Sequence, residues 1–329
     1  MASVGTEDPD RMRPLPPPAA PRALAPLAAR RREPAPTPDS PRHEISQVLL
    51  ATDVLTVGRW RCPVDSPYFR DSGPPGLCLS VFPRTGVWIR HEGAAPFVAD
   101  PTVVTYYNPG QRYERAVLDP AGDRCEYFGV APAVMADLLA GVGAAPAGDA
   151  RPLPFSHGPS DRDGYLRQRA VVEHVCRADV PDALFVEETM LDVLARLVAL
   201  AGRRGPAPSR PSRHGRRAGA DLAEAARAAI AAGFTEPWSL GDLAARLRTT
   251  PFHLARVFRA HTGWTLHGYR TELRMRAALE RVAAPDTDLL DLALTLGYSS
   301  HSHFTATFHR AFGETPSAMR RRLAPSRPV

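Results

Sequence analysis

The sequence contains no lysine, so all 41 of its basic residues are arginine. Proline and glycine are abundant, with 35 and 24 residues, and alanine is common as well. This bias is typical of GC-rich coding, which raises all four residue types together. The abundance of arginine therefore says nothing by itself about a nucleic-acid partner.

Long apolar runs are also missing. No stretch approaches the roughly 18 apolar residues that a membrane-spanning helix needs. The N-terminus, MASVGTEDPDRMRPLPPP, has no apolar core of signal-peptide length. The sequence therefore predicts neither export nor insertion into a membrane.

Cysteine is scarce, and Cys62, Cys78, Cys125 and Cys176 lie far apart without a CxxC pair. This spacing excludes a zinc knuckle and a dense disulfide framework, and it fits a reducing cytoplasm best. No flanking pattern lowers the pKa of a thiol. We therefore expect small buried hydrophobic residues rather than redox sensors.

Charge is distributed unevenly along the 329 residues, a length that suits two domains. Residues 43–200 carry 14 arginines and 20 acidic residues, whereas residues 213–323 carry 16 arginines and 10 acidic residues. A basic C-terminal module thus follows an acidic one, a pattern that favours an anionic partner for the second module.

Two segments lack the composition of a core. Residues 1–42 are rich in proline, arginine and alanine, cannot bury enough apolar surface to offset chain entropy, and are predicted to be a disordered tail. The run RRGPAPSRPSRHGRR at 203–217 is predicted to be a flexible linker at the domain boundary. Residues 324–329 form a short second tail.

The first domain, 43–202, begins with β-rich runs such as QVLLATDVLTVGRW and GVWIRHEG and continues with helical segments. We predict a β-sandwich or small cupin-like barrel with trailing helices, acting as a sensor or dimerisation domain. The last helix has an apolar stripe through Leu184, Leu191, Leu194 and Val198. That stripe is expected to pack on the sheet or on a partner subunit, as in a homodimer formed through 182–201.

Candidate ligands within this domain are few. His91 and Glu92 are neighbours on a predicted strand, so their side chains point to opposite faces and a shared metal is not expected. We predict no metal, no cofactor and no catalytic residue. Aromatic residues that line either an apolar pocket or, more commonly, a plain core are Trp60, Tyr68, Phe69, Trp88, Tyr106 and Tyr107.

The second domain, 218–323, reads as helix after helix and contains an internal repeat. Four positions recur fifty residues later: Leu254, Phe258, Gly263 and Thr265 become Phe304, Phe308, Gly313 and Thr315. Four upstream positions recur at an offset of forty-nine: Asp242, Leu243, Ala244 and Leu247 become Asp291, Leu292, Ala293 and Leu296. The repeating unit is a helix, a turn and a second helix, and the second helix is expected to be held in the core by Leu254 and Phe258 in one copy and by Phe304 and Phe308 in the other.

Two such units suit duplex DNA. Held about one turn of DNA apart, roughly 34 Å, they would enter successive major grooves on one side of the duplex. The long segment TLHGYRTELRMRAALERV between them is predicted to be a helix that sets this separation. The sequence therefore predicts an all-α domain of two helix-turn-helix units.

Residues 221–323 resemble the AraC/XylS family of transcriptional regulators. The resemblance rests on SLGDLAARLRTTPFHLARVFRAHTGWTLHGYR and on DLALTLGYSSHSHFTATFHRAFGETPSAMRR. One departure is Met319, which stands before Arg320 where the family usually has an aromatic residue. The resemblance implies a cytoplasmic regulator that binds promoter DNA, responds to a small-molecule effector through its N-terminal domain, and contacts RNA polymerase if it is an activator.

Residues on the outer side of the second helix of each unit are the candidates for DNA contact. Arg256 is the best candidate for reading a base, because arginine can donate two hydrogen bonds to a guanine edge; a solvated or phosphate-bound arginine is the alternative. Ser300 is expected to cap its helix. The predicted DNA-binding set is Phe252, His253, Ala255, Arg256, Arg259, Ser300, His301, Ser302, Thr305, Arg320 and Arg321.

Some of these residues have a structural interpretation beside the functional one. His253 and its repeat equivalent His303 favour a capping or packing role over base reading. Ala306 occupies the repeat position of Arg256, so the second unit is expected to read DNA more weakly. The arginines at 320–322 either neutralise phosphates or only aid solubility.

Two other classes of function remain open at this point. One is a small-molecule-binding barrel enzyme with a basic helical appendage, and the other is a scaffold whose helices bind partner helices. The doubled helix-turn-helix pattern favours the DNA-binding regulator over both.

Overall fold

The computed structural model describes residues 45–70, 73–203, 213–284 and 287–323. The predicted tails at 1–42 and 324–329 lie outside these residues. The strands are β1 (Ser46–Ala51), β2 (Leu55–Cys62), β3 (Cys78–Pro83), β4 (Val87–His91), β5 (Phe97–Ala99), β6 (Val103–Tyr107), β7 (Tyr113–Val117), β8 (Asp123–Val130) and β9 (His157–Pro159).

The helices of the N-terminal domain are α1 (Pro132–Gly141), α2 (Arg162–Arg177) and α3 (Ala183–Arg203). Those of the C-terminal domain are α4 (Arg213–Ala232), α5 (Leu240–Arg246), α6 (Pro251–Thr262), α7 (Leu266–Val282), α8 (Leu289–Thr295), α9 (His301–Phe312) and α10 (Pro316–Leu323).

The strands of the N-terminal domain form two antiparallel sheets, ordered β1-β2-β8-β3-β6-β9 and β5-β4-β7. Cys62 of the larger sheet and Ile89 of the smaller one belong to one buried cluster, so the sheets share a core. The run QVLLATDVLTVGRW makes two strands, because the Thr52 hydroxyl accepts a hydrogen bond from the Leu55 amide at 3.1 Å and the chain turns there. Closure into a cupin-like barrel stays a prediction, since the described strands form two separate sheets.

Helix α3 packs on the larger sheet through one apolar face. Val186, Met190 and Leu194 on this face are fully buried, whereas Leu184 in the first turn is 63% exposed. The predicted leucine stripe was therefore wrong at its start, because valine and methionine, not leucine, make much of the buried face. A homodimer through 182–201 would have to use the opposite side of this helix.

Most of the aromatic and cysteine side chains of this domain belong to its core. Tyr106 of the larger sheet is fully buried in the core, whereas Trp88 packs beside Val98 and against Ala228 of α4. Cys62, Cys78 and Cys125 are buried and Cys176 is exposed; burial raises the pKa of the Cys78 thiol to about 11. A thiol with a raised pKa is a poor nucleophile, in line with a packing role.

The domain boundary is shorter than the sequence suggested. Helix α3 continues to Arg203 and α4 begins at Arg213, so 213–217, predicted as linker, are helical. Pro211 is the last proline before α4, and the residues after it are compatible with a helix. This explains why α4 begins before residue 218, where the sequence placed the end of the linker. The remaining residues of the predicted linker, 204–212, lie outside the described ones.

The turns inside the two helix-turn-helix units share a left-handed residue. Gly297 has a φ of 77°, and the repeat position forty-nine residues earlier is Arg248, with a φ of 53°. A Cβ atom on Gly297 would lie 2.4 Å from the carbonyl oxygen of Thr235 and 2.5 Å from Arg274. The second turn therefore requires glycine for two reasons, whereas the first carries a strained arginine.

These turns give a paired stability prediction. Gly297→Ala is expected to lower the free energy of unfolding by about 2 to 4 kcal/mol, from the left-handed strain and the clash. Arg248→Gly is expected to stay within about 1 kcal/mol of the parent, because relief of strain offsets the entropy of glycine. Urea unfolding of the full chain measures both free energies. An equal decrease in the two variants would contradict the conclusion that only the second turn requires glycine.

Candidate nucleic-acid interface

The first helix-turn-helix unit consists of α5 and α6. Ser239 and Asp242 form a reciprocal capping box at the start of α5. Thr250 caps α6 by accepting from the His253 amide at 3.3 Å, and Gly263 ends it in the left-handed conformation. Helix α6 is thus defined at both ends by local chemistry and held below by a buried apolar face.

The second unit, α8 and α9, repeats this construction. Ser300 accepts from the His303 amide at 3.2 Å, which confirms the predicted cap, and Gly313 ends α9 with a φ of 78°. Phe304 and Phe308 are fully buried, as Leu254 and Phe258 are in the first unit. The core positions named by the repeat are therefore the core positions of the fold.

The outer sides of α6 and α9 have the same burial pattern over ten consecutive residues, 251–260 and 301–310. We call residues 252, 255, 256 and 259 the first outer face, and residues 302, 305, 306 and 309 the second outer face. Phe252 on the first face is 79% exposed.

The predicted contact residues of the first unit lie together on or beside this face. Phe252, His253, Arg256 and Arg259 are exposed, and Ala255 between them is half-buried. The Arg256 guanidinium lies 3.4 Å from His253 Nδ1, a weak contact at the surface. His253 is thus placed to orient Arg256.

In the second unit His301 and Ser302 are exposed and Thr305 is half-buried. The exposed His303 lies edge-on to the Tyr298 ring, with centroids 5.2 Å apart. This contact supports the structural interpretation of His303. The structure therefore brings together the predicted residues of each unit, while their roles toward DNA stay predictions.

Of the C-terminal arginines predicted to contact DNA, Arg320 makes contacts within the fold. Arg320 donates to the carbonyl oxygen of Val282 at 3.2 Å and also to that of Thr287 at 2.5 Å, so it ties α10 to the end of α7. Its guanidinium serves the fold, and a phosphate contact from it is not supported. Arg322 pairs with Glu314 at 2.6 Å. Arg321 is exposed on α10.

His309 was missed by the sequence reasoning, although it is exposed on the second outer face. It lies fifty residues after Arg259, so the repeat offset itself was the signal. Together with His301 and Thr315 it borders a shallow concavity of about 500 Å³ above α9.

The surface of α7 away from both units contacts the N-terminal domain. Four residues at helical spacing share this side, and we call them the α7 stripe: Tyr269, Glu272, Arg276 and Glu280. Each of them hydrogen-bonds to an atom of the N-terminal domain. Glu272 and Arg276 also pair with each other at 3.0 Å within the helix. Sequence reasoning missed the stripe because its other polar partners lie far away in the chain.

Arg276 is buried, with 1% of its surface exposed, as are Tyr269 and Glu272. It donates to the Ser160 carbonyl at 2.6 Å and to the Ser160 hydroxyl at 3.1 Å, and it also bonds to the Pro101 carbonyl. Its guanidinium lies 4.5 Å from the centre of the Tyr165 ring. These contacts satisfy a charge that burial would otherwise penalise.

The carboxylates of the stripe are neutralised from the N-terminal domain. Glu272 accepts from Arg162 at 2.7 Å, and Glu280 accepts from Tyr165 at 2.8 Å and lies 3.1 Å from Arg169. Burial opposes ionisation of Glu280, but the arginines and the tyrosine outweigh it and hold its pKa below the usual range.

Asp100, in the turn between β5 and β6, is the matching centre on the N-terminal domain and is fully buried. It accepts from Arg227 at 2.5 Å and from the Tyr269 hydroxyl at 2.6 Å, and within its own domain from Thr102. Burial opposes its charge, yet Arg227 and these hydrogen bonds keep its pKa below the usual value.

Other site chemistries find little support in the part of the chain that the structure describes. No group of three or more metal-ligating side chains occurs there. His91 is buried beside Tyr107, and burial lowers its pKa to about 4, so the ring is neutral near pH 7. None of the described helices is both long and apolar enough to cross a bilayer.

Known proteins are similar to the C-terminal domain. A family model of a helix-turn-helix domain matches residues 243–322. The regulatory protein SoxS of Escherichia coli (strain K12) is 32% identical over 88 residues, which are 27% of this chain and 82% of SoxS. The transcriptional activator RhaS of Pectobacterium carotovorum subsp. carotovorum (strain PC1) is 31% identical over 87 residues, 26% of this chain and 31% of RhaS.

The HTH-type transcriptional regulator GlxA of Rhizobium meliloti (strain 1021) is 36% identical over 73 residues. The chain spans 22% of the length of GlxA and 31% of that of RhaS. A crystal structure of an AraC-type regulator from Chromobacterium violaceum covers 35% of this chain and 99% of its own, with 25% identity and a TM-score of 0.30. Since its doubled helix-turn-helix region covers most of SoxS at 32% identity, the chain belongs to the AraC family of transcriptional regulators.

Proposed function

We propose that this protein is a sequence-specific DNA-binding transcriptional regulator that reads promoter DNA with the outer faces of α6 and α9. The observation that carries the proposal is the repeated exposed surface on two helices of equal length and equivalent capping, by Thr250 in one and Ser300 in the other. A recognition helix must be rigid, exposed and held by a buried opposite side, and both helices meet these conditions.

Within this function, Arg256 reads a guanine through two hydrogen bonds, with His253 beside it. Arg259 and Arg321 are exposed and neutralise phosphates. The second outer face contributes shorter side chains, since Ala306 stands where the first face has arginine.

We further propose that the N-terminal domain regulates DNA binding through the α7 stripe. Both outer faces remain exposed while the domains are docked, so docking leaves them accessible to DNA, and we take the docked state as the binding state. Undocking would expose the carboxylates of Glu272 and Glu280 on the helix between the two units, where they repel phosphates. An effector bound to the N-terminal domain would act by strengthening or weakening this interface.

Activation is the proposed outcome, because RhaS, a relative of this domain, is a transcriptional activator. A cytoplasmic activator of this kind would contact RNA polymerase once it is bound at the promoter.

The first experiment is selection of bound duplexes from a random library by the full chain at about 150 mM salt, where non-specific phosphate binding is weakened. The expected result is a site with two short motifs about 10 base pairs apart, one for each unit. Salt-sensitive binding without an enriched motif would contradict the proposal.

Arg256→Ala tests the base-reading role. We expect loss of preference at one guanine position, worth about 1 to 3 kcal/mol, with non-specific binding nearly intact. The matched control is Arg321→Ala, which should weaken binding to all sequences alike. It should also lower the slope of the logarithm of the binding constant against the logarithm of the salt concentration by about one. Repeating the selection with each variant measures both; equal losses on all sequences for Arg256→Ala would refute the role.

Asp100→Asn tests the coupling between the domains. Removing one partner of a buried ion pair costs about 3 to 5 kcal/mol, so the variant should loosen docking and lower affinity for the selected site several-fold. Asp192→Asn is the control, because Asp192 pairs with Arg167 on the surface of the same domain.

Affinity is measured by titration, and docking by the rate of proteolysis between the domains. The coupling fails if Asp100→Asn speeds cleavage but leaves the affinity within two-fold of the Asp192→Asn control.

A further inference from the structure

The two outer faces share a scaffold but differ in chemistry. At the offset of fifty residues, Arg256 corresponds to Ala306 and Arg259 corresponds to His309. The second face therefore lacks the long guanidinium side chains that project from the first. Their absence leaves the shallow concavity above α9, which is lined by His301, Ser302, Thr305, Ala306, His309 and Thr315.

The floor of this concavity is made of methyl groups. Thr305 is half-buried, and its hydroxyl oxygen is covered and has no hydrogen-bond partner among the described residues. The part of Thr305 that solvent reaches is therefore carbon. Ala306 beside it is exposed and adds a second methyl group.

The ends of the concavity are polar. His301 and His309 lie eight residues apart on α9, which corresponds to about 12 Å along the helix axis. Both imidazoles are exposed. They supply hydrogen-bonding groups on either side of an apolar floor. A base in the major groove has a matching arrangement, because its edge lies between the two polar phosphate backbones.

Thymine is the base that fits this floor. It alone carries a methyl group in the major groove, and alanine and threonine methyl groups are its usual apolar partners. Guanine is read by a long side chain that donates two hydrogen bonds, which the floor does not have. An outer face with short side chains at 302, 305 and 306 can also approach the bases more closely.

Resting on the proposed function, we propose that the second unit is selective for thymine through the methyl groups of Thr305 and Ala306. The two motifs of the site then differ in kind. The first unit requires a guanine read by hydrogen bonds, and the second requires a thymine read by its 5-methyl group.

The test is a pair of selections by the full chain, from one library made with thymidine and one made with deoxyuridine. Uracil pairs as thymine does but lacks the 5-methyl group. The motif of the first unit, identified as the one altered by Arg256→Ala, should be enriched from both libraries. The motif of the second unit should contain thymine and should be lost from the deoxyuridine library.

A variant tests the protein side of the same contact. Thr305→Ser removes the methyl group and keeps the hydroxyl; it should bind the selected site about 4-fold more weakly, as expected for one buried methyl, and should no longer distinguish thymine from uracil there. The control is Thr295→Ser, the same change at an exposed residue of α8, which should behave like the parent chain.

Enrichment of the second motif to the same extent from both libraries would overturn this inference, as would a second motif without thymine. The inference would also be overturned if Thr305→Ser still distinguished thymine from uracil as the parent chain does. A thymidine library that yields no motif at all would instead overturn the proposed function, and this result is known before any uracil comparison is made.

Discussion

The helix α7 is the element on which the rest of the structure depends, because it is packed on three sides at once. Leu273 belongs to the core of the first unit and Leu279 to that of the second. On a third side, Glu272 and Arg276 face the N-terminal domain and are 1% exposed. A displacement of this helix would therefore change the packing of α6, of α9 and of the N-terminal domain together.

The two helix-turn-helix units show how one scaffold carries two surfaces. Local rules fix the scaffold: a serine or threonine cap, an aromatic or aliphatic core pair, and a glycine at the end of the helix. Nothing in these rules constrains the outer residues, so Arg256 and Ala306 occupy equivalent positions without affecting the fold. The exception is the turn, where Arg248 tolerates a left-handed conformation that Gly297 adopts freely.

The sequence predicted what depends on neighbouring residues and missed what depends on distant ones. The repeat named Phe304 and Phe308 as core, and the cap at Ser300 follows from three residues of local sequence. By contrast, Arg320 looked like a free tail cation because its acceptors, the carbonyls of Val282 and Thr287, lie more than thirty residues away. The α7 stripe was missed for the same reason.

The polar character of the interface between the domains has a physical consequence. Apolar contacts such as that of Ala228 with Trp88 and Val98 accompany the ionic network. Glu272, Arg276 and Asp100 become ordinary solvated charges once the domains separate. A buried ionic network also gains less net free energy than apolar packing of the same area, because desolvation offsets much of the attraction. The ionic network fixes one geometry while the interface is closed and becomes solvated when it opens, which suits the regulation proposed above.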